Sequence, residues 1–365
     1  MMSVRPFLAS LVFSLAFSHV GVTSAARWYV DGSVSASGDG KSWETAFKRI
    51  QEGIDAASDG DTVTVEQEMY TENVHFNGNS ITLTSTDPLD SVVVEKTVID
   101  GGAAGTVVTF SGDEDQTCLL WGFTIRNGDA EVGGGICGGG LDSHTHATIR
   151  NNVVTGNTAR KGAGLAYCDG TITDNTISGN SADYGGGLHE CHGTIENNII
   201  TDNSAMGDSL PRGGGLAGCH GVVQYNTISG NYGAGLVGSS GRVQNNRITG
   251  NFGGGLHGCG GLIQNNLITE NSSQWAGGGL CECSGTIQNN TIAGNNGDGI
   301  FGCKGIIRNC IVWGNTEESG GGGSADAKHT PLLPPGRHGC QRSPGDHSET
   351  CRPGEDIETI PRRVQ

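Results

Sequence analysis

The stretch GGGLHECHG, Gly185 to Gly193, places His189, Glu190, Cys191 and His192 side by side. Imidazole, carboxylate and thiol are the groups that ligate transition metals, and the first two move protons in water. His220, in AGCHG, repeats the setting of His192 one unit later. His189, Glu190, His192 and His220 are therefore candidates for a metal or acid/base role, and Arg212 is a further candidate base. The plainer account makes them solvated polar residues at the turns of a repeat. Choosing between the two requires the elements that carry them.

The bulk composition narrows the choice. The chain has 365 residues, a formal charge of −17, 64 glycines and 5% aromatic residues. A nucleic acid, whose phosphates require a basic face, is excluded as a partner. So few aromatic residues cannot fill a conventional core, and small aliphatic side chains in thin layers must replace them. The N-terminus reads as a secretory signal over residues 1–26, with Arg5, the apolar run FLASLVFSLAF and the small-residue zone VTSAA. That run is too short to span a bilayer, and no later segment approaches a spanning length. The expected location is secreted, cell-surface or periplasmic, where disulfides are permitted among the twelve cysteines.

The dominant signal is self-similarity. From Thr148 the chain stacks as TIRNNVVTGNTARKGAGLAYCDG, TITDNTISGNSADYGGGLHECHG and further copies, down to TIQNNTIAGNNGDGIFGCKG and a half-copy ending at Asn315. Successive copies are 23, 23, 28, 20, 20, 24 and 20 residues long, and the variation falls at one point, before the glycine run. Each copy holds three short, β-branched segments bounded by Gly or Asn, which is strand spacing rather than helical spacing. Three strands per coil, stacked about 4.8 Å apart, predict an all-β chain folded as a right-handed parallel β-helix. Two asparagine columns, beginning at Asn152 and Asn157, are expected at corners, where Asn tolerates left-handed backbone and can bond along the stack. Six cysteines from Cys168 to Cys303 share a column broken at Ser239. Zinc needs ligands converging on a point, and a same-side disulfide between rungs is strained, so free apolar thiols are expected.

Ser42–Ala57 carries Trp43, Phe47, Ile50 and Ile54 at helical spacing with Ser42 as N-cap, a helix suited to covering the open first coil. The expected organisation is a cap segment over 27–60, a β-helix over 61–316 and an irregular, disordered tail over 317–365. One account of that tail is translation in a shifted frame, which the coding DNA tests.

The units of the type GLIQNNLITEN…GGGL resemble the repeats of the pectin lyase-like superfamily. The opening WYVDGSVSASGDGKSWETAFKRIQEGIDAASDGDTVTVEQEMYTENV is similar to that of large exported bacterial β-helix proteins often labelled pectate lyases on fold alone. The resemblance covers roughly residues 27 to 316 and implies the fold. It implies an activity only where an enzyme's own signature is present. The aspartate cluster of pectate lyases does not recur at rung spacing, and NNGDGI resembles only the first of the polygalacturonase segments.

A β-helix of this kind would bind a polysaccharide or surface glycan beside the Gly-rich strand, whose outward glycines would form a flat floor. The variable loops would wall it with Arg160, Lys161, Asp183, Tyr184, Asp208, Arg212 and Trp275, and His257 would face outward from the strand. The alternatives are a lyase, epimerase or hydrolase acting on such a polymer, and a structural or adhesive component with no glycan activity. No cofactor is required, Ca²⁺ would enter with an anionic polysaccharide, and a monomer is expected.

Overall fold

The computed structural model describes residues 25–207, 212–273 and 277–316. The chain is a right-handed parallel β-helix whose strands run from Arg27–Val30 to Ile311–Trp313. Each short strand pairs with its counterpart in the next copy, so equivalent side chains stack in files. Among the described residues, sheet A has 12 strands, sheet B 11 and sheet C 10. Ile149, Ile172 and Ile195 stack in sheet A. Val154, Ile177 and Ile200 stack in sheet B, and Leu165, Leu188 and Leu216 in sheet C. These files are fully buried and form one continuous core.

The asparagines do half of what their spacing suggested. Left-handed backbone belongs to the residue before each ladder position: Asn151, Asp174, Asn197, Tyr225, Asn245, Asn265 and Asn289 at one corner, and Gly156, Gly179, Asp202, Gly230, Gly250 and Glu270 at the next. The ladder asparagines themselves are buried and turned inward. Asn175 Oδ1 accepts from both the backbone N–H and Nδ2 of Asn152, at 2.9 and 3.2 Å. Asn175 Nδ2 in turn donates to Asn198 Oδ1 and to the Ile149 carbonyl. Bend and ladder are thus divided between neighbours. A second amide file runs outside sheet A: Gln224, Gln244, Gln264 and Gln288 each donate to the residue one coil back, from Glu196 as terminal acceptor to Arg308 as terminal donor.

The glycines correct the expected flat floor. A Cβ on Gly164 would stand 2.4 Å from the Gly187 carbonyl oxygen, 2.9 Å from Ile177 and 3.3 Å from Asn180 Nδ2. Gly187, Gly215, Gly235 and Gly255 meet the same set one coil on. These positions face the core and the Asn ladder, so the glycines allow close packing of coils and offer no external surface.

The described cysteines are all free. Cys168, Cys191, Cys219, Cys259 and Cys283 are fully buried and belong to the apolar core. Burial pushes the Cys118 and Cys281 thiols up to about 12, and Cys191 well above its ordinary value, so they stay protonated. Ser239, filling the gap in the file, has a buried hydroxyl with no partner.

The N-terminal helix is shorter than its pattern. Phe47 is drawn into pairing beside Tyr29 and Val30, which leaves a 3-10 turn at Trp43–Thr45 and an α-helix, α1, at Ile50–Ala56. Ser42 makes no cap. The buried Glu72 carboxylate instead accepts the backbone N–H groups of Ile50 and Gln51, satisfying the helix start from another coil. Ile50 and Ile54 are buried, and a Cβ on Gly53 would meet Val30 and Val63, so α1 lies against the first two strands of sheet A. The tail from residue 317 lies outside the described residues.

Candidate functional site

Sheet C is flanked by two corners, and the chemistry divides between them. The corner after sheet C carries the residues that follow Cys168, Cys191 and Cys219: Asp169, His192 and His220. The parallel register puts them one coil apart. The His192 and His220 rings stack with centroids 5.0 Å apart and planes 20° apart. The His220 amide donates to His192 Nδ1, and the Ser240 hydroxyl sits 3.0 Å from His220 Nδ1. Burial holds His192 below the usual imidazole range.

A residue missed by the sequence argument completes this file. His144 lies in a two-strand hairpin, Gly139–Gly140 against Ser143–His144, that interrupts the coil before the regular copies begin. Its Nδ1 is 3.1 Å from Asp169 Oδ2, and its ring stacks on Tyr167 at 4.9 Å. The His144 and His192 ring centroids are 5.5 Å apart. The HTH triplet, His144 to His146, was the visible signal, but it precedes the aligned frame. Asp169 occupies the His192 column and could have been found there.

His189 does not join this file. It belongs to sheet C and is buried, with neither ring nitrogen hydrogen-bonded. Glu190 Oε1 is 3.7 Å from its Nε2, beyond hydrogen-bond reach. Loss of solvent lowers the His189 pKa to about 4; Glu190 opposes the shift, while Lys161, His192 and Arg160 reinforce it. Because the folded value lies below the ordinary imidazole value, the unfolded chain binds the extra proton first. The contribution is complete above pH about 6.5 and lost as pH falls toward about 4, up to about 3 kcal/mol. Urea unfolding of the native chain and of His189→Leu at about pH 7.5 and about pH 4.5 tests this. The native chain should lose more stability than the variant, and equal losses would show His189 to be solvated.

The corner before sheet C carries the loops. Asp129–Val132, Thr158–Lys161, Ser181–Tyr184 and Ser204–Ala205 form a small parallel sheet. This wall folds over the first coils of sheet C: a Cβ on Gly162 or Gly185 would meet His189 Cβ at 2.9 Å. Ala166, His189 and Ala217 are buried as a result, whereas Phe301 is exposed and His257 partly so. Arg160, Lys161, Asp183 and Tyr184 stand on this wall, and Arg160 pairs with Glu131. Arg212 lies beside it with Nε buried and no partner among the described residues. His257 is 3.5 Å from Glu282 and remote from the other imidazoles. Asp208 and Trp275 lie outside the described residues.

Past the wall, the same line of residues continues as Tyr232, which pairs with Ser204, and then Phe252 one coil on. Both rings are largely exposed, at 57% and 61%, with centroids 6.4 Å apart. Sequence reasoning passed over them because each follows a ladder Asn, a position polar in most other copies.

The architecture defines this chain as a parallel β-helix repeat protein. Residues 122–275 match the family model of NosD, described as a periplasmic copper-binding protein. The exported location read from the N-terminus agrees with that description, and no described helix is long and apolar enough to cross a membrane. A crystal structure of pectate lyase Pel9A is similar at 13% identity and a TM-score of 0.42, covering 84% of this chain and 83% of that one. No curated protein gave a significant sequence match.

Proposed function

We propose that this protein is an exported, carbohydrate-associated β-helix that binds a polysaccharide along the loop-bearing edge of sheet C. The observation that carries this reading is the exposed pair Tyr232 and Phe252, in line with the polar wall of Lys161, Asp183 and Tyr184. Monomers rarely leave two large aromatic rings in water side by side without a use for them. A sugar ring presents C–H groups that stack on such faces, and the wall supplies hydrogen-bonding groups beside them. An anionic polymer would meet the chain's charge of −17 and bind only through local Arg/Lys patches or bridging Ca²⁺.

A glycan array followed by affinity electrophoresis in soluble polysaccharides tests the reading, with and without Ca²⁺. The Tyr232→Ala/Phe252→Ala double variant should lose about 10-fold in affinity, the worth of two aromatic stacking contacts. Unchanged binding in the double variant would remove the site, and no binding by the native chain would favour the structural alternative. Appearance of unsaturated products from pectate or alginate would establish the lyase reading instead.

A further inference from the structure

We propose that His144, Asp169 and His192 form a binding site for one borderline divalent metal ion of the Zn²⁺ type, held on the corner that follows sheet C. One ligand atom from each of the three lies within 4.8 Å of the other two. A tetrahedral Zn²⁺ with bonds of about 2.0–2.1 Å needs its ligand atoms about 3.3 Å apart. The His144 Nδ1 to Asp169 Oδ2 distance of 3.1 Å already has that length. The remaining separations are no more than 4.8 Å, and the side chains must close the difference on binding.

The backbone holds the three in place through the stacking register. Thr145 pairs with Cys168, and the Asp169 amide donates to the Thr145 carbonyl at 2.8 Å, which fixes His144 and Asp169 on adjacent coils. The His192 amide donates to Asp169 Oδ1 at 2.7 Å, which orients the carboxylate with its other oxygen toward His144. Tyr167 stacks on the His144 ring and limits its rotation. Ligands so supported are the arrangement that metal sites require, since the groups behind the ligands set their orientation.

The ligand set chooses the class of ion. Two neutral imidazoles and one carboxylate suit borderline first-row ions, and they fall short of the six or more oxygens that Ca²⁺ takes. Three protein ligands leave a fourth position for water or another donor. An open groove of ≈ 420 Å³, lined by Asp115, His146, Asp169 and Thr194 among others, runs up to Asp169, one of the three ligands. This proposal stands apart from glycan binding, which uses the opposite corner of sheet C.

The test uses the full chain with no affinity tag, stripped with EDTA and titrated with Zn²⁺ and separately with Co²⁺. The native protein should take up one equivalent that His144→Ala/His192→Ala does not. Its thermal unfolding midpoint should rise with Zn²⁺, and Co²⁺ should give a visible ligand-field band. Asp169→Asn preserves the acceptor for the His192 amide and tests the site without disturbing the corner; it should lower affinity at least about 10-fold. His75→Ala, far from the cluster, should bind as the native chain does. Zn²⁺ uptake and a midpoint shift that are the same in native, double-variant and Asp169→Asn proteins would overturn the proposal, as would no uptake by the native chain.

Discussion

Replacing Asn203 by alanine should destabilise the β-helix by about 3 kcal/mol, one of the two largest effects expected of any single side chain here. Asn203 Oδ1 accepts from the backbone N–H and Nδ2 of Asn180, at 3.1 and 3.0 Å. Its Nδ2 donates to the Ile177 carbonyl and to Asn231 Oδ1, at 2.9 and 3.1 Å. All four bonds are buried. Alanine leaves the Asn180 amide without its buried acceptor, and it opens a cavity between two coils. Ser204→Ala is the matched control, because the Ser204 hydroxyl is buried and already unpartnered. It should be neutral or slightly stabilising. Equilibrium urea unfolding compares the two. Equal midpoints would mean that the ladder is decoration on a fold held by its aliphatic files alone.

The second large effect is expected at Gly187. A Cβ there would lie 2.6 Å from the Gly215 carbonyl oxygen, 3.1 Å from Ile200 and 3.3 Å from Asn203 Nδ2. The carbonyl belongs to the next coil and is fixed by the ladder of strands, so the coils must separate. Gly187→Ala should cost about 3 kcal/mol, the upper end for overpacking a tight interior. Gly187→Val should not accumulate as folded protein. Gly258 provides the contrast. It has φ +60 and open space around its missing Cβ, so Gly258→Ala carries only backbone strain, about 1 kcal/mol. Thermal unfolding should place Gly258→Ala above Gly187→Ala, and expression should yield no soluble folded Gly187→Val. A Gly187→Ala protein as stable as Gly258→Ala would show that neighbouring coils shift freely.

Both predictions concern columns whose existence was legible in the chain, while their physical roles were not. The Asn spacing announced a ladder, but the left-handed bends fall one residue earlier, mostly on asparagine or glycine and also on Asp174, Tyr225 and Glu270. A corner whose neighbours are tied by ladder bonds on both sides can hold even Tyr225 or Glu270 in left-handed backbone. The glycine run read as an open floor because strand alternation alone was applied to it. Close approach of the next coil, which alternation does not contain, turns those positions inward. The same limit applied to the candidate site. His192 and His220 aligned in one column, whereas His144 entered from a hairpin outside the repeat frame. His189 shares the column of His257, expected to face outward, and the loop wall folded over it and buried both ring nitrogens.

The sequence by itself determined the solenoid: the period, the three strands per coil, the aliphatic files, the thiol file and the two corners. It could do so because equivalent residues of a repeat stack on one another, and a column in the alignment is a column in space. Only the tertiary structure decided where the variable loops lie, which face of sheet C they close, and that His144 and Asp169 meet His192. Those contacts join segments that break the period, and a repeat pattern holds no information about where its exceptions touch.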